Sequence, residues 1–177
     1  MGHLTRTIAL VGMMGAGKSS IGRRLAASMD VPFFDADSEI EAAAGRTIPE
    51  IFQEYGEAAF RDCERKVISR LLEGPPHVLA TGGGAFMSEQ TRARIREMGI
   101  SVWLKAPIDV LLARVKRKDN RPLLNAGDQR ETLERLLQER TPTYAEADIH
   151  FDCEDGPHSA AVDDLLAQLI ARGIWVP

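Results

Sequence analysis

Residues Gly12-Met13-Met14-Gly15-Ala16-Gly17-Lys18-Ser19 follow the pattern G-x-x-x-x-G-K-[ST]. Glycines at this spacing let consecutive backbone N–H groups turn inward on phosphate oxygens. A helix beginning at Lys18 adds its positive N-terminal end to the same place. Lys18 would set an ammonium on the outer phosphates, and Ser19 would offer a hydroxyl to a magnesium ion. Gly15, Ala16, Gly17, Lys18, Ser19 and Ser20 are therefore the expected nucleotide-binding set of this loop. At average composition the pattern arises by chance in such a chain on the order of once in a hundred times or less. The loop predicts a nucleoside-triphosphate site. It does not name the acceptor, which is open between water, a nucleotide and a small metabolite.

Other polar residues bear on that choice. Asp35 and Asp37 follow an apolar run over residues 31–34. Ligands of a parallel sheet gather beyond the carboxyl ends of its strands, so both acids are expected in the crevice of the phosphate loop. Alternation along a strand sends them to one side. One carboxylate can hold the hydration shell of Mg²⁺ and the next can receive an acceptor hydroxyl. The competing reading makes Asp37 the cap of the following helix. Arg61 and Glu64 are three apart on a helix and share a face. They form either a surface ion pair or an arginine held ready to grip an anionic substrate.

Thr81-Gly82-Gly83-Gly84-Ala85 ends a strand where most P-loop enzymes carry an acid that supports Mg²⁺. Three glycines instead allow a ligand close to the backbone, or simply make a flexible turn. The segment from Arg114 to Arg121 carries five cations and one anion. It reads as a lid that closes over ATP and excludes water, or as a solvated loop. Glu139-Arg140-Thr141-Pro142-Thr143-Tyr144 ends a helix with one more arginine. His3, His77, His150 and His158 show no zinc spacing. Trp103 reads as core, Trp175 as packing of the tail, and nothing marks Cys63 as a nucleophile.

These residues need elements to hold them. Short apolar runs over residues 7–11, 31–34, 77–80, 100–104 and 149–151 predict strands. Helical patterns follow over residues 18–29, 38–44, 51–72, 107–117, 129–144 and 160–172, the third broken near Gly56. Ser88 can cap a further helix that ends before Gly99. Strands alternating with helices mean βαβ units and a parallel sheet covered on both faces. The 177 residues are expected to form one α/β domain over residues 1–177, with the lid over about residues 116–128.

Composition narrows the class further. Apolar residues at 44% and charged residues at 27% exclude a disordered chain. No apolar run approaches the roughly 20 residues that span a bilayer, and no signal-peptide pattern opens the chain. A net charge of −4 argues against nucleic acid as the main partner. Two cysteines cannot make a disulfide framework and suggest a reducing, cytoplasmic setting.

Taken together, the residues resemble the shikimate kinases. The resemblance runs over residues 6–172. It rests on Gly12 to Ser19, Asp35-x-Asp37, Phe60-Arg61-x-x-Glu64, Gly82-Gly83-Gly84, Arg121-Pro122-Leu123 and Glu139-Arg140 with Tyr144. It implies a three-layer α/β/α P-loop kinase fold, like that of nucleoside monophosphate kinases, with a five-stranded parallel sheet of order 2-3-1-4-5 and a mobile lid. The implied activity moves the γ-phosphoryl group of ATP to the 3-hydroxyl of shikimate, a step of chorismate and aromatic amino-acid biosynthesis.

By motif, the resemblance implies that Asp37 binds the shikimate hydroxyls and is the candidate base. Arg61 and Arg140 would clamp the shikimate carboxylate, and Gly83 would hold a ring hydroxyl through its backbone. Arg121 would reach from the lid to the ATP phosphates, making Lys18, Asp37 and Arg121 the catalytic set. Ser19 would bind Mg²⁺ directly and Asp35 through water. Arg114 is similar to an arginine that stacks on adenine, with the loop near Pro157 as the opposite wall. The implied partners are ATP and shikimate, without nucleic acid or membrane, and the chain is expected to be a monomer. A kinase for another small polar acceptor such as gluconate, and a non-catalytic nucleotide-binding protein, are the competing readings.

Overall fold

The computed structural model describes residues 1–116, 128–153 and 156–177. Strands β2 (Thr7–Val11) and β4 (Val78–Ala80) are buried at every position. Strands closed off on both faces need apolar side chains throughout, which is why these runs do not alternate. With β3 (Phe33–Asp35), β5 (Gly99–Lys105) and β6 (Ile149–Asp152) they pair in the order β3-β4-β2-β5-β6. All of these pairings are parallel. Counted along the chain within the sheet, the order is the expected 2-3-1-4-5.

Register then decides what meets at the carboxyl edge. Leu10 lies opposite Ala80, and Ala80 opposite Asp35. β4 and β3 therefore end level with each other and β2 runs one residue further, so the segments that follow them emerge side by side. These are the phosphate loop, the glycine triplet and the Asp35–Asp37 turn.

The helices are α1 (Lys18–Met29), α2 (Ala36–Ala44), α3 (Ile48–Leu72), α4 (Glu89–Met98), α5 (Ile108–Val115), α6 (Gln129–Tyr144) and α7 (His158–Ala171). α1 turns Ile21, Leu25, Ala26 and Met29 onto the sheet, an i, i+4, i+5, i+8 stripe of the kind that buries one helix face. A second, smaller apolar cluster of Ile40, Ile51, Phe60 and Val67 locks α2 to α3. These are the two helices that carry Asp37 and Arg61. Gly56, at φ 86°, interrupts α3 where the break was expected.

Two features depart from the sequence reading. β3 begins at Phe33, after Pro32, and ends at Asp35, so Asp37 stands in the first turn of α2 and not on a strand. Strand alternation therefore does not place it. The termini also pair: β1 (His3–Leu4) runs antiparallel to β7 (Trp175–Val176). A two-residue strand leaves no periodicity to read. Trp175 is buried there, against Gly2. Among the described residues no helix is long and apolar enough to cross a membrane.

Candidate active site

The loop between β2 and α1 requires glycine at three points, the first being Gly12 at φ 144°, where a Cβ would lie 2.8 Å from the Leu104 carbonyl oxygen. Gly15 at φ 86° and Gly17 at φ 97° are left-handed, a region that L side chains avoid. A Cβ on Gly15 would also lie 2.9 Å from the Leu111 carbonyl oxygen. Gly17 stands at the N-cap of α1, and no side chain caps the helix. The first N–H groups of α1 are thus presented to the cleft in front of the loop. Lys18 is buried, and its Nζ donates to the carbonyls of Gly12 at 2.7 Å and Met13 at 2.9 Å. Those two bonds anchor the ammonium inside the turn, beside the cleft that Lys18 lines.

The cleft, of about 230 Å³, is lined by Gly15, Gly17, Ser19, Ser20, Asp35 and Asp37, among others. Ser19 Oγ donates to Asp35 Oδ2 at 2.6 Å. Asp35 Oδ1 accepts from the backbone N–H groups of Asp37 at 3.0 Å and Ser38 at 3.3 Å. Asp35 is therefore the cap of α2, and the reading of Asp37 as the cap is corrected. The cap turns the chain so that Asp37, in the first turn of the helix, brings its carboxylate to the same cleft.

The glycine triplet serves a different purpose from the phosphate-loop glycines. None of Gly82, Gly83 and Gly84 is left-handed, so it is space that excludes a side chain. A Cβ on Gly82 would stand 3.0 Å from Asp37 Oδ1 and 3.1 Å from Glu64 Oε2. One on Gly83 would stand 3.2 Å from Arg140 Nη1, and one on Gly84 only 2.5 Å from Arg61 Nη2. Each glycine thus has a charged group resting on it. The approach expected of a ligand is in the first place an approach of the protein's own acids and arginines.

Glu64 Oε1 accepts from Arg61 Nη1 at 3.0 Å. Glu64 is only 2% exposed, so this is no surface ion pair. Burial raises its pKa, Asp37 adds to that, and Arg61 and Arg140 oppose it. Glu64 Oε2 and Arg140 Nη1 are both buried without a hydrogen-bond partner among the described residues. Unpaired buried polar atoms are rare enough to need a reason, and these two, of opposite charge, stand over one glycine turn. Behind them Tyr144 is fully buried, stacks on Trp103 at 5.7 Å between ring centroids, and donates its hydroxyl to the Gly83 carbonyl. Burial pushes its pKa up to about 12, while Arg140 pulls it down.

At the other side of the cleft, Arg114 Nη1 donates to the carbonyls of Gly15 at 3.2 Å and Ala16 at 3.1 Å. Its guanidinium is thus bound to the back of the phosphate loop. His158 lies next to it, with Cε1 3.5 Å from where a Gly17 Cβ would stand. Sequence reasoning missed His158 and Thr81 as cleft residues. The one signal for the first was Pro157, which opens α7 and aims that helix start at the loop. Thr81 Oγ1 donates to the Leu10 carbonyl at 2.8 Å and ties the glycine turn to β2. Arg121 and residues 117–127 of the lid expected over about residues 116–128 lie outside the described residues.

A parallel sheet of this order, with a phosphate loop after its central strand and an acid beyond the edge strand, defines a P-loop kinase. The family model of shikimate kinase matches residues 14–170. The chain is 58% identical over 164 residues to the shikimate kinase of Caulobacter vibrioides, spanning 93% of this chain and 82% of that protein. It is 57% identical over 167 residues to the shikimate kinase of Bradyrhizobium diazoefficiens, spanning 94% and 81%. A solved shikimate kinase from Acinetobacter baumannii, in complex with shikimate, matches with a TM-score of 0.92 at 38% identity over 94% of each chain. The chain belongs to the shikimate kinase family.

Proposed function

We infer that this protein transfers the γ-phosphoryl group of ATP to the 3-hydroxyl of shikimate, giving shikimate 3-phosphate and ADP. The observation that carries the reading is the set Asp37, Arg61, Glu64 and Arg140 packed over three glycines beside a phosphate loop. Shikimate is a small carboxylate with hydroxyls on its ring. Its recognition calls for cations at one end and a hydroxyl acceptor at the other, and this set supplies both.

The loop N–H groups, the start of α1 and Lys18 hold the triphosphate. Arg61 and Arg140 take the shikimate carboxylate, and Gly83 takes a ring hydroxyl through its backbone. Asp37 orients the 3-hydroxyl toward the γ-phosphorus and receives its proton as the new P–O bond forms and the bond to ADP breaks. Phosphoryl transfer of this kind needs mainly alignment and charge neutralisation. Arg114 braces the loop from behind and, with His158 and the loop at Pro157, bounds the nucleoside end. Arg121 is assigned to the phosphates on its sequence motif alone.

The donor set also fits Mg²⁺. Ser19 and Asp35 offer oxygens 2.6 Å apart beside the loop. That is too few for a closed cage, and Mg²⁺ takes one or two protein oxygens and completes its shell with waters and phosphates. Ser19 would hold the ion directly and Asp35 through water. Bound there, it would neutralise charge on the outer phosphates. The chain is assigned as a monomer on its family resemblance alone, and ATP use together with two free cysteines suits the cytoplasm.

The test is ADP release with ATP and Mg²⁺, offering shikimate, quinate, gluconate and nucleoside monophosphates in turn. Turnover is expected with shikimate alone. Turnover with another acceptor in preference would overturn the acceptor assignment and leave the phosphate loop standing.

A further inference from the structure

We propose that Tyr144 is a positioning residue of the acceptor site, whose hydroxyl fixes the Gly83–Gly84 peptide and steadies Arg140 beside it. Three glycines in a row are the least rigid backbone a chain can present, because each peptide plane can turn freely. In this turn each glycine carbonyl is held. The Gly82 carbonyl accepts from Ala85 N–H at 3.2 Å, and the Gly84 carbonyl from Met87 N–H at 3.1 Å. Those are bonds of the turn itself. The Gly83 carbonyl is held instead by the Tyr144 hydroxyl, from 61 residues away.

A trans peptide points its N–H away from its C=O. Holding the Gly83 oxygen therefore fixes where the Gly84 N–H points, and limits how the neighbouring Gly83 N–H can turn. Tyr144 can do this because its ring has no freedom of its own: it is fully buried and stacked on Trp103. Arg140 stands one helical turn earlier on α6, with Nη1 3.2 Å from where a Gly83 Cβ would be. Tyr144 thus joins the backbone that meets a ring hydroxyl to the guanidinium that meets the carboxylate. It does so without itself lining the cleft.

Tyr144→Phe keeps the ring and removes the bond. Shikimate KM is expected to rise about tenfold, the scale of one buried acceptor left unpaired. The ATP KM is expected to stay unchanged. A merely structural tyrosine would lower the melting temperature and leave both KM values alone, and that result overturns the proposal, as does an equal rise in both. A second measurement decides the matter if the variant does not fold. The chain has two tyrosines, Tyr55 and Tyr144, and Tyr55 is 59% exposed. Tyr55→Phe labelled with 3-fluorotyrosine carries a single ¹⁹F probe at Tyr144. Its resonance is expected to move on adding shikimate and to stay in place with ADP; an unmoved resonance overturns the proposal. Tyr144 has this role only if shikimate is the acceptor, so wild-type turnover is the control. A wild type that ignores shikimate brings down the acceptor reading and this role with it, whereas normal shikimate turnover in Tyr144→Phe brings down this role alone.

Discussion

Arg61 and Arg140 are not equivalent cations. Arg61 already shares its charge with Glu64 at 3.0 Å, whereas Arg140 keeps a buried Nη1 without a partner among the described residues. A carboxylate arriving between them gains more from Arg140. A charge-assisted hydrogen bond contributes about 1.5–3 kcal/mol. Arg140→Ala is therefore expected to raise shikimate KM roughly 10- to 100-fold. ATP binding should hardly change, because Arg140 faces the acceptor side only; unchanged shikimate affinity would remove it from the clamp. Asp37 is tested by Asp37→Asn, which keeps the shape and removes the proton acceptor. A fall in kcat of about 10²- to 10⁴-fold is expected with the fold intact. Near-normal kcat would take Asp37 out of the chemistry.

At the scale of elements, Asp37 and Arg61 are held relative to each other because Ile40, Ile51, Phe60 and Val67 lock α2 to α3. The glycine turn is the surface against which their side chains rest. Gly84→Ala tests the close approach directly. Its backbone is not left-handed, so alanine brings no backbone strain. Its methyl, however, would sit 2.5 Å from Arg61 Nη2 and must push the guanidinium aside. The expected result is a higher shikimate KM, an unchanged ATP KM and a melting temperature close to wild type. If shikimate binding were untouched, Arg61 would have no part in it. A fall in ATP affinity would mean that the glycine turn serves the phosphate loop instead.

At the scale of the whole molecule, His77 is a titrating weakness. His77 is buried just before β4, with Nδ1 2.9 Å from the Pro75 carbonyl oxygen and Nε2 without a partner among the described residues. Burial lowers its pKa below the ordinary value. The unfolded chain then binds the proton more readily than the folded one. The stability His77 allows is fully present above about pH 6.5 and is lost as pH falls toward the lower folded pKa. Urea unfolding from pH 7.5 down to pH 5 should show this decline, and His77→Gln should flatten it. Parallel curves for the two proteins would exclude His77 as the cause.

The phosphate loop, the alternation of strands and helices, and the break at Gly56 were legible in the chain before any fold was known. These depend on residues close together in the chain, where spacing, glycine content and apolar periodicity carry the physics. The motif residues Asp37, Arg61, Gly83 and Arg140 were also legible one by one. Their relation to each other was not. That Asp35 caps α2 depended on where β3 stops, which sheet pairing sets. Only packing buried Glu64 and made it a partner instead of a surface charge. The glycine triplet read as room for a ligand, and it took the folded chain to bring Asp37, Glu64, Arg140 and Arg61 over it from three helices. The bond from Tyr144 to Gly83 and the pairing of the termini belong to the same class. Each joins segments far apart in the chain, and no local pattern encodes a contact whose two halves meet only after the sheet has set its register.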